Sequence, residues 1–434
     1  MSKFLIACWS FPGHVRPCLV LARALRERGH TVAFYTGSRG GAAVREEGFP
    51  HFPFEQVDED ALYARLFPKN GASADARHPL RFIRTLRAWT LATVPGQVSD
   101  LANLLARWTP DVLVTDVTMW APFLVLADRL PTPVAVLAFA PGCMIPHREV
   151  PPWGLGLEPS HLPWKQIHYR VAAALHRRTA ESFRKTANRL RRRYGLPGID
   201  VPVNAYAARA ALYLVPSARE LDDPRSDLPG SVHYIGALAE RKPAGDARLP
   251  AWFASLRPGW PRVHVTEGTV SFREPFLLKA AVEAFRGEPV EVILTTCREQ
   301  APRFLDPREL PPNVHAETFL PHEALLPEID CLVTTGGAGT VLTALEHGVP
   351  MVVVPTEWDK PDNARHVRKI GAGVVLSPKR CKASALRKSV AGVLAGPSYR
   401  EAARRMGSVL RAYRGAERGA ELLEELSSRG VSGP

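Results

Sequence analysis

The stretch VTTGGAGTVLTALEHGVPMVVVPTEWDKPDNA, Val333 to Ala364, decides the fold. A strand runs into Thr335-Gly336-Gly337-Ala338-Gly339-Thr340, a helix follows, and the apolar run Met351–Val354 makes the next strand. Glycines let a backbone approach a ligand closely, and a helix start offers unpaired N–H groups and a positive dipole end. The turn therefore has the makings of a diphosphate cradle. It lacks the Lys of a P-loop and the spacing of a dinucleotide fingerprint. Taken alone, such a turn also fits an ordinary strand-to-helix connection.

The same alternation extends outward from this stretch. Upstream, Val263–Thr266, Val290–Thr295, Val314–Thr318 and Cys331–Thr334 read as strands with helices between them. A second set opens the chain: strands Phe4–Trp9, Thr31–Tyr35, Asp111–Thr115 and Pro133–Phe139, a helix carrying Leu19, Ala22 and Leu25 on one face, and an apolar helix from Trp120 to Leu130. Continuous apolar runs between helices argue parallel sheets covered on both faces. A Pro-rich loop region covers about 140–165, and a long helix follows from roughly Trp164 to Tyr194, with Phe183, Ala187, Leu190 and Tyr194 on its buried face. The expected architecture is α/β, with two Rossmann-like doubly wound domains facing a cleft. Residues 1–220 form the first domain, 221–250 an interdomain linker, 251–396 the second domain, and 397–434 helices that pack back on the first. Ligands in such sheets bind beyond the carboxyl ends of the strands.

Composition narrows the class. The chain has 434 residues, 46% hydrophobic and 23% charged, which excludes a disordered tail and allows a full core. The six cysteines (Cys8, Cys18, Cys143, Cys297, Cys331, Cys381) form no CxxC pair, so neither a zinc site nor a disulfide framework is expected. The apolar start at Lys3–Trp9 meets Pro12 and Gly13 too soon for a secretory signal. The uncharged run Pro131–Pro146 is broken by five Pro or Gly and cannot span a bilayer. The expectation is a cytoplasmic protein. The formal net charge is +13, and Lys165–Arg193 carries ten Lys or Arg against one Glu. That segment reads as a solvated helix face, or as a contact for an anionic acceptor or membrane surface. It holds no nucleic-acid motif, and no nucleic-acid partner is expected.

Five motifs in order resemble family 1 glycosyltransferases, which use nucleotide-activated sugars and have the GT-B fold. They are GHVRP (Gly13–Pro17), VLVTD ending at Asp116, VHVTEGTV (Val263–Val270), FLPHEALLPEID (Phe319–Asp330), and the glycine turn followed by WDKPDNA from Trp358. The resemblance covers most of the chain and implies a role for each matched residue. Phe319 would stack on the nucleobase and His322 contact its edge. Thr269, Thr335, Gly336, Gly337, Gly339 and Thr340 would hold the diphosphate. Asp359 and Lys360 would face sugar hydroxyls, since a carboxylate accepts such bonds and an ammonium donates them. Three positions depart from the family pattern. Thr335 replaces a common His, Thr343 a Glu that often holds the ribose, and Lys360 the commonest residue, Gln.

In the first domain, the resemblance implies that His14, in the loop after the first strand, is the general base, and that Asp116 is the carboxylate holding it. An imidazole near its reference pKa of about 6.5 exchanges protons at neutral pH, and a paired carboxylate fixes its tautomer. Asp58-Glu59-Asp60 formally matches a metal-binding DxD pattern but reads as a solvated acidic turn, and no metal or cofactor is expected. Trp153 and Trp164, in Pro-rich sequence, are acceptor-pocket candidates; most other aromatics read as core. The resulting expectation is an inverting, metal-independent transfer from a UDP- or dTDP-sugar to a hydroxyl of a hydrophobic small molecule, such as a natural-product aglycone. The rivals are a nucleotide-sugar epimerase and a non-catalytic nucleotide-sugar-binding protein.

Overall fold

The computed structural model describes residues 1–66, 79–139, 144–147, 150–158, 162–240, 248–268, 275–297, 302–306 and 308–431. Its first sheet has strands β1 (Lys3–Ala7), β2 (Thr31–Tyr35), β3 (His51–Phe52), β4 (Val112–Asp116), β5 (Val134–Leu137), β6 (Leu212–Val215) and β7 (Val232–Tyr234), in the order β3-β2-β1-β4-β5-β6-β7. The second has β8 (Arg262–Thr266), β9 (Glu291–Thr295), β10 (Val314–Glu317), β11 (Cys331–Thr334), β12 (Met351–Val353) and β13 (Gly373–Val375), in the order β10-β9-β8-β11-β12-β13. Every pairing is parallel. The run FLIA shows why. Leu5 and Ala7 pack on one side of β1, while Phe4 and Ile6 pack on the other, so the strand is buried on both faces.

The first sheet is covered by α1 (Pro12–Glu27), α2 (Ser38–Glu46), α3 (Glu59–Leu66), α4 (Pro79–Thr90), α5 (Val94–Trp108), α6 (Ala121–Leu124), α7 (Pro163–Arg193) and α8 (Val203–Ala207). The second carries α9 (Phe276–Phe285), α10 (His322–Leu325), α11 (Ala338–Glu346), α12 (Lys360–Lys369) and α13 (Ala383–Ala395). Two helices close the chain, α14 (Pro397–Ala412) and α15 (Gly415–Val431). Arg411 of α14 donates to the Glu346 carbonyl at the end of α11, whereas Ala420, Leu422 and Leu423 of α15 enter the core shared with Leu21 and Leu25 of α1. One closing helix thus stays with the second sheet and the other returns to the first.

The helix expected over Trp120–Leu130 is broken: α6 ends at Leu124, and a 3-10 turn covers Leu126–Asp128. No helix among the described residues is long and apolar enough to cross a membrane. In each sheet the strand order reverses between two central neighbours, β1 and β4 in the first, β8 and β11 in the second. The crevices beyond these reversals are where doubly wound sheets bind ligands.

Candidate active site

His14 reaches the first reversal from α1 and Asp116 from the end of β4. His14 lies in the first turn of α1, not in the loop the sequence suggests. Its Nδ1 meets Asp116 Oδ2 in a short contact, so the Nδ1–H donates to the carboxylate and Nε2 is left for the cleft that His14 lines. The other Asp116 oxygen, Oδ1, accepts from the Thr118 backbone N–H and hydroxyl, each at 2.7 Å, which locks the carboxylate in place. The imidazole is walled by aromatic rings, with Phe139 at 5.0 Å and Phe11 at 5.5 Å between centroids.

At the second reversal β11 runs into the glycine turn. Gly336 has φ +91°, and a Cβ there would meet Val353 Cγ1 at 2.8 Å, so only glycine allows this path. The Gly336 carbonyl accepts from the Asn363 amide at 2.7 Å, tying the turn to α12. The first intrahelical bond of α11 is made by Val341, to Gly337, so the N–H groups of Ala338, Gly339 and Thr340 precede it in a first turn that lines the cleft. Thr335 departs from its expected role. Its hydroxyl donates to the Glu267 carbonyl at 2.8 Å, and the side chain is buried in the wall behind the cradle. Thr269 lies outside the described residues.

Both crevices open into one cavity of about 1020 Å³, room for a donor and an acceptor together. Asp359 and Lys360, at the start of α12, line it. Burial raises the Asp359 carboxyl above its ordinary range, while the bond from Asn363 (2.7 Å) and the nearby charge of Lys360 oppose that rise. Lys360 Nζ donates to Thr356 Oγ1 at 3.1 Å. His322 lines the cavity beside Phe319, and burial, with Arg16 adding to it, lowers its pKa to about 4. Its ring is therefore uncharged at neutral pH. Phe319 is exposed, and the Arg16 guanidinium lies 4.5 Å from its ring centroid.

The two tryptophans placed in the acceptor pocket separate. Trp153 lines the cavity, and its buried indole N–H has no acceptor among the described residues. Trp164 does not line it: as the second residue of α7 it points to solvent. Phe11, Trp89, Trp120 and Phe139, read from sequence as core, also line the cavity, because the pocket wall is the edge of the core itself. The sequence reading assigned nothing to Arg16, Trp358 or Asp362. Trp358 has φ +65°, rare for a large side chain, and packs edge-on against Trp89 at 5.5 Å. Asp362 accepts from the backbone N–H groups of Gly154 and Gly156, holding the loop that carries Trp153. The positive φ of Trp358 has no sequence signal.

The carboxylates of the acidic run Asp58-Glu59-Asp60 have partners of their own. Asp58 caps α3 through the Ala61 N–H, Glu59 is buried and takes the Ser38 hydroxyl at 2.9 Å, and Asp60 pairs with Arg39. Asp222, Asp223 and His366 cluster closely enough to hold an ion, but both Asp223 oxygens accept from Arg365.

Two doubly wound sheets that share one cleft define a GT-B protein. Residues 281–417 match the family described as Erythromycin biosynthesis protein CIII-like, C-terminal domain. The chain is 34% identical to 4'-demethylrebeccamycin synthase of Lentzea aerocolonigenes over 93% of its own length and 94% of the relative's. It is 28% identical to demethyllactenocin mycarosyltransferase of Streptomyces fradiae, over 96% and 84%. The calicheamicin glycosyltransferase CalG4 superposes with a TM-score of 0.74 at 24% identity, covering all of both chains. The chain belongs to the GT-B glycosyltransferases of natural-product pathways.

Proposed function

We propose that the protein transfers a sugar from a UDP- or dTDP-sugar to a hydroxyl of a hydrophobic small-molecule acceptor, with inversion and without a metal or other cofactor. The observation that carries this reading is the pairing of His14 with Asp116 across one cavity from the start of α11 and from Asp359 and Lys360. His14 Nε2 takes the acceptor's hydroxyl proton as the oxygen attacks the anomeric carbon. The bond from that carbon to the diphosphate breaks, and its electron pair leaves with the nucleoside diphosphate. Attack opposite the leaving group turns an α-linked donor into a β-glycoside. The backbone N–H groups of Ala338, Gly339 and Thr340 and the helix dipole stabilise the departing charge.

Asp359 and Lys360 orient the sugar, Phe319 and His322 the base, and Trp153 the acceptor. The names of the two relatives denote natural-product synthesis and sugar transfer, which supports this class of acceptor. The basic segment 165–193 supports contact with an anionic surface. The test incubates the protein with UDP- and dTDP-sugars and an aglycone panel, reading mass by spectrometry and anomeric configuration by NMR. A β-glycoside from an α-donor, formed equally well with EDTA present, is the expected result. An α-glycoside, or activity lost on chelation and restored by magnesium, refutes inversion or metal independence.

A further inference from the structure

α7 is a wall with two working faces. On its inner side Tyr169, Ala173 and His176 line the cleft. On its outer side Trp164, Ile167, Val171 and Leu175 stand 66%, 63%, 54% and 61% exposed. Their spacing of 3, 4 and 4 places them on one stripe, about 16 Å long at 1.5 Å per residue. Leu162, also exposed, extends it at the helix start. Exposed apolar residues are ordinary when scattered, whereas a contiguous ridge marks a contact surface.

The charges beside the ridge identify the contact. Lys165, Arg170 and Arg178 flank it, and no acidic residue occurs in the helix before Glu181. An apolar ridge with basic flanks is the pattern of a helix lying in a lipid headgroup layer, apolar side chains in the acyl boundary and cations on anionic headgroups. A second copy of the chain would set the same cations against each other. We propose that the outer face of α7 docks on anionic lipid bilayers, Trp164, Ile167, Val171 and Leu175 entering the interface. Docking brings the wall of the cavity to the membrane, where an apolar acceptor concentrates. That consequence, but not the docking itself, rests on the proposed acceptor class.

The test uses the full chain without substrates, in flotation with phosphatidylcholine vesicles and with vesicles that also contain phosphatidylglycerol. The expected result is binding to the anionic vesicles only, weakening as salt is raised. The variant Ile167→Glu/Leu175→Glu changes two solvent-facing positions, and binding should fall about tenfold or more, the acyl-boundary contact having been lost. Its transfer to a water-soluble acceptor should stay unchanged, a readout that separates docking from catalysis. No binding to anionic vesicles, or equal binding by the variant, overturns the proposal. It is overturned as well if the ridge holds a dimer that the variant dissociates, or an acidic protein partner, while vesicles remain unbound.

Discussion

Replacing Asp116 by Asn tests the catalytic pair with almost no change of shape. The Asp116 side chain is buried, and its Oδ1 is fixed by two donors of Thr118 at 2.7 Å. The backbone N–H of Thr118 cannot turn away, so the Asn carbonyl oxygen must stay there. The amide NH2 then faces His14 Nδ1 and donates to it. The imidazole is left with its proton on Nε2, the atom that should accept from the acceptor hydroxyl. The carboxylate that would stabilise the imidazolium is lost as well. General-base catalysis contributes about 10²–10⁴ in rate, and trapping the wrong tautomer in a serine-protease triad costs about 10⁴. Asp116→Asn should therefore lower kcat by about 10³–10⁴, some 4–5 kcal/mol of barrier. The assay is initial rates with an alcohol acceptor at saturating donor, alongside calorimetric donor titration, which should be unchanged. A phenol already ionised at the assay pH needs no base and should suffer far less. A kcat within about threefold of wild type, far short of the loss expected for a missing general base, would refute the assignment.

Further outcomes follow from three other residues, Asp359, Asp362 and Glu424. Asp359→Ala should weaken the full sugar donor by tens of fold while sparing the bare nucleoside diphosphate, since each bond to a charged group is worth about 1.5–3 kcal/mol; equal binding of both ligands by variant and wild type would remove Asp359 from the sugar site. Burial raises the Asp359 pKa, so donor affinity should begin to fall, as pH is lowered, above the ordinary carboxylate value of about 3.9. Asp362→Asn removes one acceptor oxygen from the pair serving Gly154 and Gly156, a loss of about 1.5–3 kcal/mol. It should lower kcat/KM for the acceptor and leave slow donor hydrolysis unchanged; equal loss of both would mean general misfolding. Glu424 is held down to about 2 by its bonds to Arg28 and His30. Its folded value is depressed, so it contributes stability present above its ordinary value of 4.5 and lost as pH falls toward 2. Glu424→Gln should flatten that part of the thermal stability profile, and an unchanged profile would show the pair is idle.

The central strands were legible because burial on both faces leaves an uninterrupted apolar run. β2 and β11 fall at the positions expected, and β1 and β4 within a residue or two. The edge strands of the first sheet were not legible. β3 has two residues and β7 three, VHY, each only partly buried, so neither makes a run long enough to stand out. The pair His14 and Asp116 was visible through its motifs, and the structure brings the two side chains into contact. Trp164 failed for a definite reason. Pro163 starts a helix instead of ending a loop, since proline is tolerated at the first helical position, and the helical phase then turns Trp164 outward. Sequence also counts a buried aromatic as core, and cannot show that Phe11 or Trp89 has one side on the cavity.

One helix joins parts of the site that sequence treats as separate. The start of α12 carries Asp359 and Lys360 into the cavity, and Asn363, one turn on, fixes the glycine turn through the Gly336 carbonyl. Asp362 grips the loop bearing Trp153, and Arg365 and Lys369 reach Asp223 in the segment after the first sheet. Burial alone would raise the Asp223 carboxyl, yet the two bonds from Arg365, with the His366 ring close by, pull it well below its ordinary value. The anchor is thus a true ion pair, and α12 cannot shift without moving a charge buried beside it. A displacement of Asp359 and Lys360 is therefore also a displacement of the loop carrying Trp153. On the proposed function, choice of acceptor depends on both sheets, because the loop carrying Trp153 hangs from the helix that begins with Asp359 and Lys360.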